Sequence, residues 1–157
     1  MTHREVVQKD ALDIASQHNR CGLGVSMGVG KTRIAIQHFQ RNHDRFIKAL
    51  VVIPKLSIKE ALLTELEKMN LERLQPHLTF TTYLSINKHN PMEYQIVYLD
   101  ECHSLLESHE PFLSAYSGKI LGLTGTPPVR KGTEKYRMVQ KYCPIKYSFS
   151  VDDATDK

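Results

Sequence analysis

A glycine-rich segment in the amino-terminal part of the chain has residues that could bind phosphate. Positions 26–32 read Ser-Met-Gly-Val-Gly-Lys-Thr, between a short apolar stretch and a helical pattern. Gly28 and Gly30 leave room for backbone N–H groups around phosphate oxygens, and a helix N-terminus adds unpaired donors and a positive dipole end. Lys31 would reach the β- and γ-phosphates, and the Thr32 hydroxyl would ligate Mg²⁺. The segment therefore predicts a site for a nucleoside triphosphate with Mg²⁺.

This segment departs from the strict phosphate-loop pattern at one position. The pattern has a glycine six residues before the lysine, where this chain has Val25. The alternative interpretation is a glycine-rich turn followed by a surface lysine. The apolar stretch before the segment and the helical pattern after it favour the phosphate site.

Two adjacent acids, Asp100 and Glu101, follow an apolar run at positions 96–99. A carboxylate at the tip of a buried strand can hold Mg²⁺, and its neighbour can orient or deprotonate an attacking water. His103 follows two residues later and could sense the γ-phosphate, although a core or helix-face histidine is the commoner case. The alternative for Asp100 is the N-cap of a short helix with Glu101 in its first turn. The phosphate loop upstream favours the metal and base roles.

Strand-like and helical patterns alternate along the chain. Apolar strand-like runs lie at 21–25, 49–53, 78–83, 96–99 and 120–123, with a weaker one at 146–151. Helical patterns lie at 7–15, 31–41, 57–69 and 134–141, and Ser57 with Glu60 indicates a capping box at the third. This alternation is typical of βαβ units. We therefore expect a three-layer α/β domain with a mainly parallel sheet and its ligands at the carboxyl ends of the strands.

Composition limits the class of protein. The chain has 157 residues, 41% hydrophobic and 24% charged, which fits one folded domain. No apolar run approaches the roughly 18 residues of a membrane span, and the first residues lack the apolar core of a secretory signal. Three scattered cysteines indicate no disulfide framework. We expect a protein inside the cell, without a membrane partner; its net charge of +4 permits a polyanionic partner.

Together these segments resemble the first motor domain of superfamily-two helicases and translocases. Motif I of that family resembles 26–32, motif II resembles Asp-Glu-Cys-His at 100–103, and motif III resembles Leu-Thr-Gly-Thr-Pro at 123–127. The three occur in the family's order. The resemblance implies a RecA-like P-loop fold, with residues 1–157 forming the ATP-binding domain. It also implies a second RecA-like domain, in cis or in trans, which is absent from this chain.

The resemblance also implies roles for individual residues. ATP would be bound by Gln8, as the adenine-reading glutamine, and by Met27, Gly28, Val29, Gly30, Lys31 and Thr32. Lys31, Asp100, Glu101 and His103 would be catalytic, and Thr32 and Asp100 would hold the metal. Nucleic acid would be bound by Pro54, Lys55, Ser57, Thr82 and Tyr83. The coupling segment would comprise Thr124, Gly125 and Thr126.

The implied function is ATP hydrolysis with Mg²⁺, coupled to movement on nucleic acid. DNA is favoured over RNA because the Met-Gly-x-Gly-Lys-Thr form resembles that of duplex-DNA translocases. The lone chain should hydrolyse ATP slowly, because the family's arginine finger comes from the second domain and such fingers raise rates by about 10³ to 10⁵. If the protein is viral, the expected location is the host cytoplasm.

Two other classes of function stay open. A small phosphate-loop kinase would need a mobile basic lid, for which 130–132 (Arg-Lys-Gly) with Lys135 and Arg137 is the candidate. A motor domain retained as a non-catalytic binding module would bind nucleic acid or protein without turnover. Phosphoryl transfer to a small metabolite would indicate the kinase, and indifference to Glu101→Gln would indicate the binding module.

Overall fold

A computed structural model describes residues 3–25, 30–42, 44 and 47–149, and its centre is a six-stranded sheet. The strands are β1 (Arg20–Val25), β2 (Ala49–Ile53), β3 (Leu78–Thr82), β4 (Ile96–Asp100), β5 (Lys119–Thr124) and β6 (Ile145–Phe149). Their order in the sheet is β3-β2-β4-β5-β1-β6, and every neighbouring pair is parallel. The predicted α/β class is confirmed, with a sheet that is parallel throughout.

Helices cover both faces of this sheet. The α-helices are α1 (His3–Ser16), α2 (Lys31–Asn42), α3 (Ser57–Lys68), α4 (Glu110–Ala115) and α5 (Glu134–Tyr142). Short 3₁₀ segments lie at Glu72–His77, Tyr83–Lys88, Pro91–Glu93, Cys102–Ser104 and Glu107–His109. Among the described helices, none has both the length and the apolar character needed to cross a bilayer.

The apolar strands have this form because they are buried on both faces. In β2, Val51 and Ile53 belong to the apolar cluster that includes α1, α2 and α3. Leu50 and Val52, on the other face, belong to the cluster that includes α4 and α5. Alternate residues of a strand point to opposite faces, so a strand covered on both sides must be apolar at every position.

The predicted start of α3 is partly wrong. The helix covers the predicted stripe, with Leu62 and Leu66 buried. Ser57, however, is its first residue rather than its cap; the preceding residue, Leu56, makes no side-chain capping hydrogen bond. The predicted capping box therefore does not form.

The order of the strands brings the chemistry-bearing segments together. β5 lies between β4, which ends at Asp100, and β1, which precedes the glycine-rich segment. Gly24 of β1 is level with Thr124 of β5, and Asp100 is level with Leu123. All the strands are parallel, so their carboxyl ends share one edge of the sheet, where ligands bind in such folds.

Candidate active site

Lys31 connects the start of α2 with the two acids at the end of β4. Its Nζ forms an ion pair with Glu101 and lies 3.5 Å from Asp100 Oδ1. The residue is only 7% exposed, and within the described part of the chain Nζ has no partner in hydrogen-bond geometry. Buried ammonium groups need acceptor oxygens. The position of Nζ therefore fits a phosphate group.

Asp100 is a half-buried carboxyl group beside the Lys31 ammonium. Burial raises the pKa of Asp100 above its ordinary value, and the Lys31 ammonium acts in the opposite direction. Carboxylate and hydroxyl oxygens are ligands that Mg²⁺ prefers, so Asp100 and Thr32 are suitable residues to hold it.

Glu101 has a left-handed backbone, with φ of 54°. This conformation is uncommon for a residue that is not glycine or asparagine, and it persists only where neighbouring contacts enforce it. Two hydrogen bonds do so: Tyr83 Oη donates to the carbonyl of Asp100 at 2.6 Å, and the Ser104 N–H donates to the carbonyl of Glu101 at 2.9 Å. The turn after β4 is therefore fixed on both sides of Glu101.

His103 joins this turn to the end of β5. Its Nδ1 lies 2.7 Å from Thr124 Oγ1, 3.3 Å from Thr126 Oγ1 and 3.5 Å from Glu101 Oε2. The Thr126 N–H donates to Thr124 Oγ1 at 3.0 Å, which leaves the Thr124 hydroxyl proton free to be donated to Nδ1. Burial lowers the pKa of His103, and the nearby charges of Lys135 and Lys31 lower it further. The lowered pKa favours the neutral ring, which can accept from the Thr124 hydroxyl at Nδ1.

Gln8 lies against the residue that precedes Lys31. Gly30 has φ of +76°, and a Cβ built on it would be 2.6 Å from Gln8 Nε2. Both residues line an open cleft of about 400 Å³ with Thr32. Gln8 therefore lies beside the start of the phosphate segment's helix, while its adenine-reading role stays a prediction.

An ion pair that was not predicted lies at this cleft. Arg33 donates to Glu65 Oε1 from Nε at 3.1 Å and from Nη2 at 2.9 Å, which links α2 to α3. Arg4 and Glu5 line the same cleft. Arg33 could have been identified from the sequence, because it directly follows Thr32 of the predicted phosphate segment. Glu65 could not, because it lies on a different helix and no local spacing relates it to that segment.

Three predicted ATP-binding residues, Met27, Gly28 and Val29, lie outside the described residues, as does Ser26. Gly125 is exposed between Thr124 and Thr126. The contacts of Thr124 and Thr126 with His103 show that the segments resembling motifs II and III meet.

The predicted nucleic-acid residues divide into two groups. Pro54, Lys55 and Ser57 are exposed after β2, and Thr82 is half-buried at the end of neighbouring β3. Tyr83, in contrast, is 8% exposed, and its hydroxyl is bonded to Asp100. The structure thus places the Tyr83 side chain in the core, with little of it exposed to a ligand.

Two apolar residues are exposed at the same edge of the sheet and were not predicted. Leu56 is 61% exposed after β2, and Leu84 is 95% exposed after β3. In the sequence, each is a leucine next to a residue predicted to bind nucleic acid, and this does not indicate that the leucine is exposed.

The basic segment considered as a lid is attached to α5. The Thr133 hydroxyl donates to the carbonyl of Arg130 at 2.8 Å and accepts from the Tyr136 N–H at 3.3 Å, as the helix cap. Arg137 forms an ion pair with Glu107. Arg130 and Lys131 remain exposed in this turn.

Comparison with solved structures supports the same fold. The UvsW helicase of bacteriophage T4 has a TM-score of 0.75 at 16% identity, over 90% of this chain and 58% of that one. The helicase domain of Hef from Pyrococcus furiosus has a TM-score of 0.66 at 16% identity, over 97% of this chain and 39% of that one. The SWI2/SNF2 ATPase core of Sulfolobus solfataricus, solved with dsDNA, has a TM-score of 0.62 at 17% identity, over 87% of this chain and 34% of that one. The chain thus spans less than two thirds of each.

A family model covers most of the sequence. The ResIII model, described as the res subunit of type III restriction enzymes, matches residues 2–129. A search of curated proteins finds no match. The match includes the segments that meet around Lys31, and the predicted resemblance to superfamily two is confirmed. The chain therefore belongs to the ResIII family, as a RecA-like domain of the superfamily-two helicases.

Proposed function

We propose that this chain is the ATP-binding half of a motor that couples ATP hydrolysis to movement on nucleic acid. The family and its fold support a nucleic-acid-dependent ATPase as the class. One observation supports the chemistry most directly: the buried Lys31 ammonium lies between the carboxylates of Asp100 and Glu101. A lysine that can bind phosphate, beside acids that can hold a metal or position water, is an arrangement that enzymes use for phosphoryl transfer to water.

Each residue of this cluster has a proposed task. Lys31 binds the β- and γ-phosphate oxygens, and Thr32 with Asp100 would hold Mg²⁺. When bound, the metal neutralises charge that develops on the phosphates. Glu101 orients the attacking water and accepts its proton. His103 reports the state of this site to Thr124 through their hydrogen bond.

The proposed nucleic-acid surface lies at the ends of β2 and β3. Lys55 provides a cation, Ser57 and Thr82 provide hydroxyls, and Pro54 shapes the turn. Contacts of these kinds bind the phosphate backbone without reading sequence. DNA is the proposed substrate, supported by the residue pattern of the phosphate segment and by a structural neighbour solved with dsDNA.

Nucleotide binding is the first test. Titration of the full chain with Mg²⁺ and a non-hydrolysable ATP analogue should show saturable binding. Lys31→Ala should weaken this binding by about 30-fold or more, because the phosphate groups lose the buried ammonium that pairs with them. Glu101→Gln should retain binding. Lys68→Ala, which removes an exposed lysine of α3, is the matched control. A folded Lys31→Ala variant that binds as tightly as the parent would contradict the phosphate assignment.

Turnover is the second test. Single-turnover hydrolysis by the lone chain should be very slow, since the proposal places the arginine finger on a second domain. Hydrolysis stimulated by nucleic acid to several turnovers per second would contradict this part of the proposal. In the complete motor, Glu101→Gln should abolish turnover.

Nucleic-acid binding is the third test. Lys55→Ala should weaken binding of the full chain to duplex DNA and reduce the slope of log K against log salt by about 0.9, the contribution of one phosphate contact. Lys68→Ala should leave both quantities unchanged. An unchanged salt slope in Lys55→Ala would remove Lys55 from the surface.

A further inference from the structure

On the basis of the proposed function, we propose that Tyr83 is a positioning residue that couples nucleic-acid contact at the end of β3 to the placement of Glu101. Tyr83 joins these two places directly. Its backbone follows Thr82 at the proposed nucleic-acid surface, and its hydroxyl lies on the turn that bears Glu101.

The inner end of this connection is a single short hydrogen bond. Tyr83 is buried, and its Oη donates to the carbonyl of half-buried Asp100 at 2.6 Å. That carbonyl belongs to the peptide that joins Asp100 to Glu101. Glu101 has the left-handed φ of 54°. Rotation of this peptide changes φ of Glu101. The hydroxyl therefore helps hold the Glu101 carboxylate beside Lys31 and His103.

The outer end of the connection is exposed. Tyr83 begins the 3₁₀ segment Tyr83–Lys88, in which the next residue, Leu84, is 95% exposed. Thr82, on the other side of Tyr83, is half-buried. A ligand that contacts Thr82 or Leu84 is thus one residue away from the tyrosine that holds the Asp100 carbonyl.

The far end of the 3₁₀ segment is anchored to neighbouring elements. Ile86 is fully buried, and Asn87 donates to the carbonyl of Ser108 at 2.8 Å and accepts from the N–H of Phe112 at 3.0 Å. With its far end fixed in this way, the near end at Tyr83 and Leu84 is the part of the segment that a bound ligand would shift. Nucleic acid bound at the outer end would then alter the geometry of Glu101.

This arrangement has a thermodynamic consequence. If nucleic acid and nucleotide favour the same placement of the turn, each raises the affinity for the other by the same factor. We define this coupling factor as the affinity for Mg²⁺ with a non-hydrolysable ATP analogue in the presence of saturating duplex DNA, divided by the affinity in its absence. Typical factors begin at about fivefold.

The test compares two tyrosines in the full chain. Tyr83→Phe keeps the ring and loses the hydroxyl, and Tyr98→Phe, the matched control, loses a buried hydroxyl that lies 2.8 Å from His38 Nδ1 in the other apolar cluster. The parent and Tyr98→Phe should show coupling of about fivefold or more. Tyr83→Phe should lower the factor toward one while each ligand alone binds within about twofold of the parent.

The outcomes separate the two proposals. A parent that binds neither ligand contradicts the proposed function, and the role of Tyr83 falls with it. A parent that binds both without coupling, or a Tyr83→Phe variant that keeps full coupling, overturns the role of Tyr83 and leaves the proposed function standing. Equal loss of coupling in both variants also overturns it, because any buried hydroxyl would then suffice.

Discussion

His103 and Thr124 share a hydrogen bond of 2.7 Å that joins the turn after β4 to the end of β5. The bond holds the imidazole where the charges of Lys135 and Lys31 act on it. A protonated ring at this place would bring a third positive charge near the site. The lowered pKa therefore favours a neutral His103, which can accept from a hydroxyl.

The first prediction concerns the pKa of His103. Lys135→Gln removes a nearby positive charge that disfavours the imidazolium, so the pKa of His103 should rise toward its ordinary value. NMR titration of the ring protons measures this change. Lys141→Gln is the control, because it removes a lysine of the same helix that pairs with Glu110 at 2.9 Å and is not among the charges that shift the pKa of His103. A lower His103 pKa in Lys135→Gln would contradict the electrostatic account.

The second prediction uses two glycines with positive φ. Gly30→Ala and Gly132→Ala should each cost about 1 kcal/mol of unfolding free energy, because a Cβ is strained in the left-handed region. A Cβ on Gly132 meets nothing within 4 Å, whereas one on Gly30 displaces the flexible Gln8 amide. Only Gly30→Ala should therefore lower the preference of the chain for ATP over GTP, measured by competition binding. The same loss in Gly132→Ala would count against Gln8 as the base reader.

The third prediction concerns the backbone of Glu101. Asparagine tolerates left-handed φ better than glutamine does, so Glu101→Asn should be more stable than Glu101→Gln by about 1 kcal/mol. Both variants remove the charge that pairs with Lys31. Urea unfolding of the two proteins gives the difference directly. Equal midpoints would show that the conformation at position 101 carries little strain.

The fourth prediction is an acid destabilisation that arises from His38. Burial lowers the pKa of His38 to about 4. The unfolded chain binds this proton near pH 6.5, so the unfolding free energy should fall as the pH drops from 6.5 to 4 and then level off. The contribution is roughly 3 kcal/mol. His38→Gln should flatten the urea-unfolding profile over this range, and Tyr98→Phe, which keeps His38, should not.

The sequence predicted the strands well where burial determines their composition. The run 49–53 is apolar at every position because β2 is covered on both faces, and the observed bounds are Ala49–Ile53. The six-residue helix α4 was missed, since fewer than two turns show no periodicity. Its starting signal, Pro111 in the first turn, is weak by itself.

Some features of the candidate site could likewise be predicted from the sequence, and others could not. Lys31 and the two acids were predicted together because carboxyl ends of parallel strands share an edge. The burial of Tyr83 could not be predicted, since a tyrosine after a strand is equally compatible with solvent and core. Only the packing of the turn at Asp100 against that ring decides between them.

The position of β1 in the sheet has a consequence for biosynthesis. β1 is made early, yet its neighbours in the described sheet are β5 and β6, which span Lys119–Thr124 and Ile145–Phe149. β2, in contrast, pairs with β3 and β4, which follow it sooner. During synthesis on the ribosome, β2, β3 and β4 can pair first, whereas β1 can pair only after β5 has emerged. The lysine and the acids would therefore meet late, so a nascent chain would gain the proposed nucleotide site only after β5 has been made.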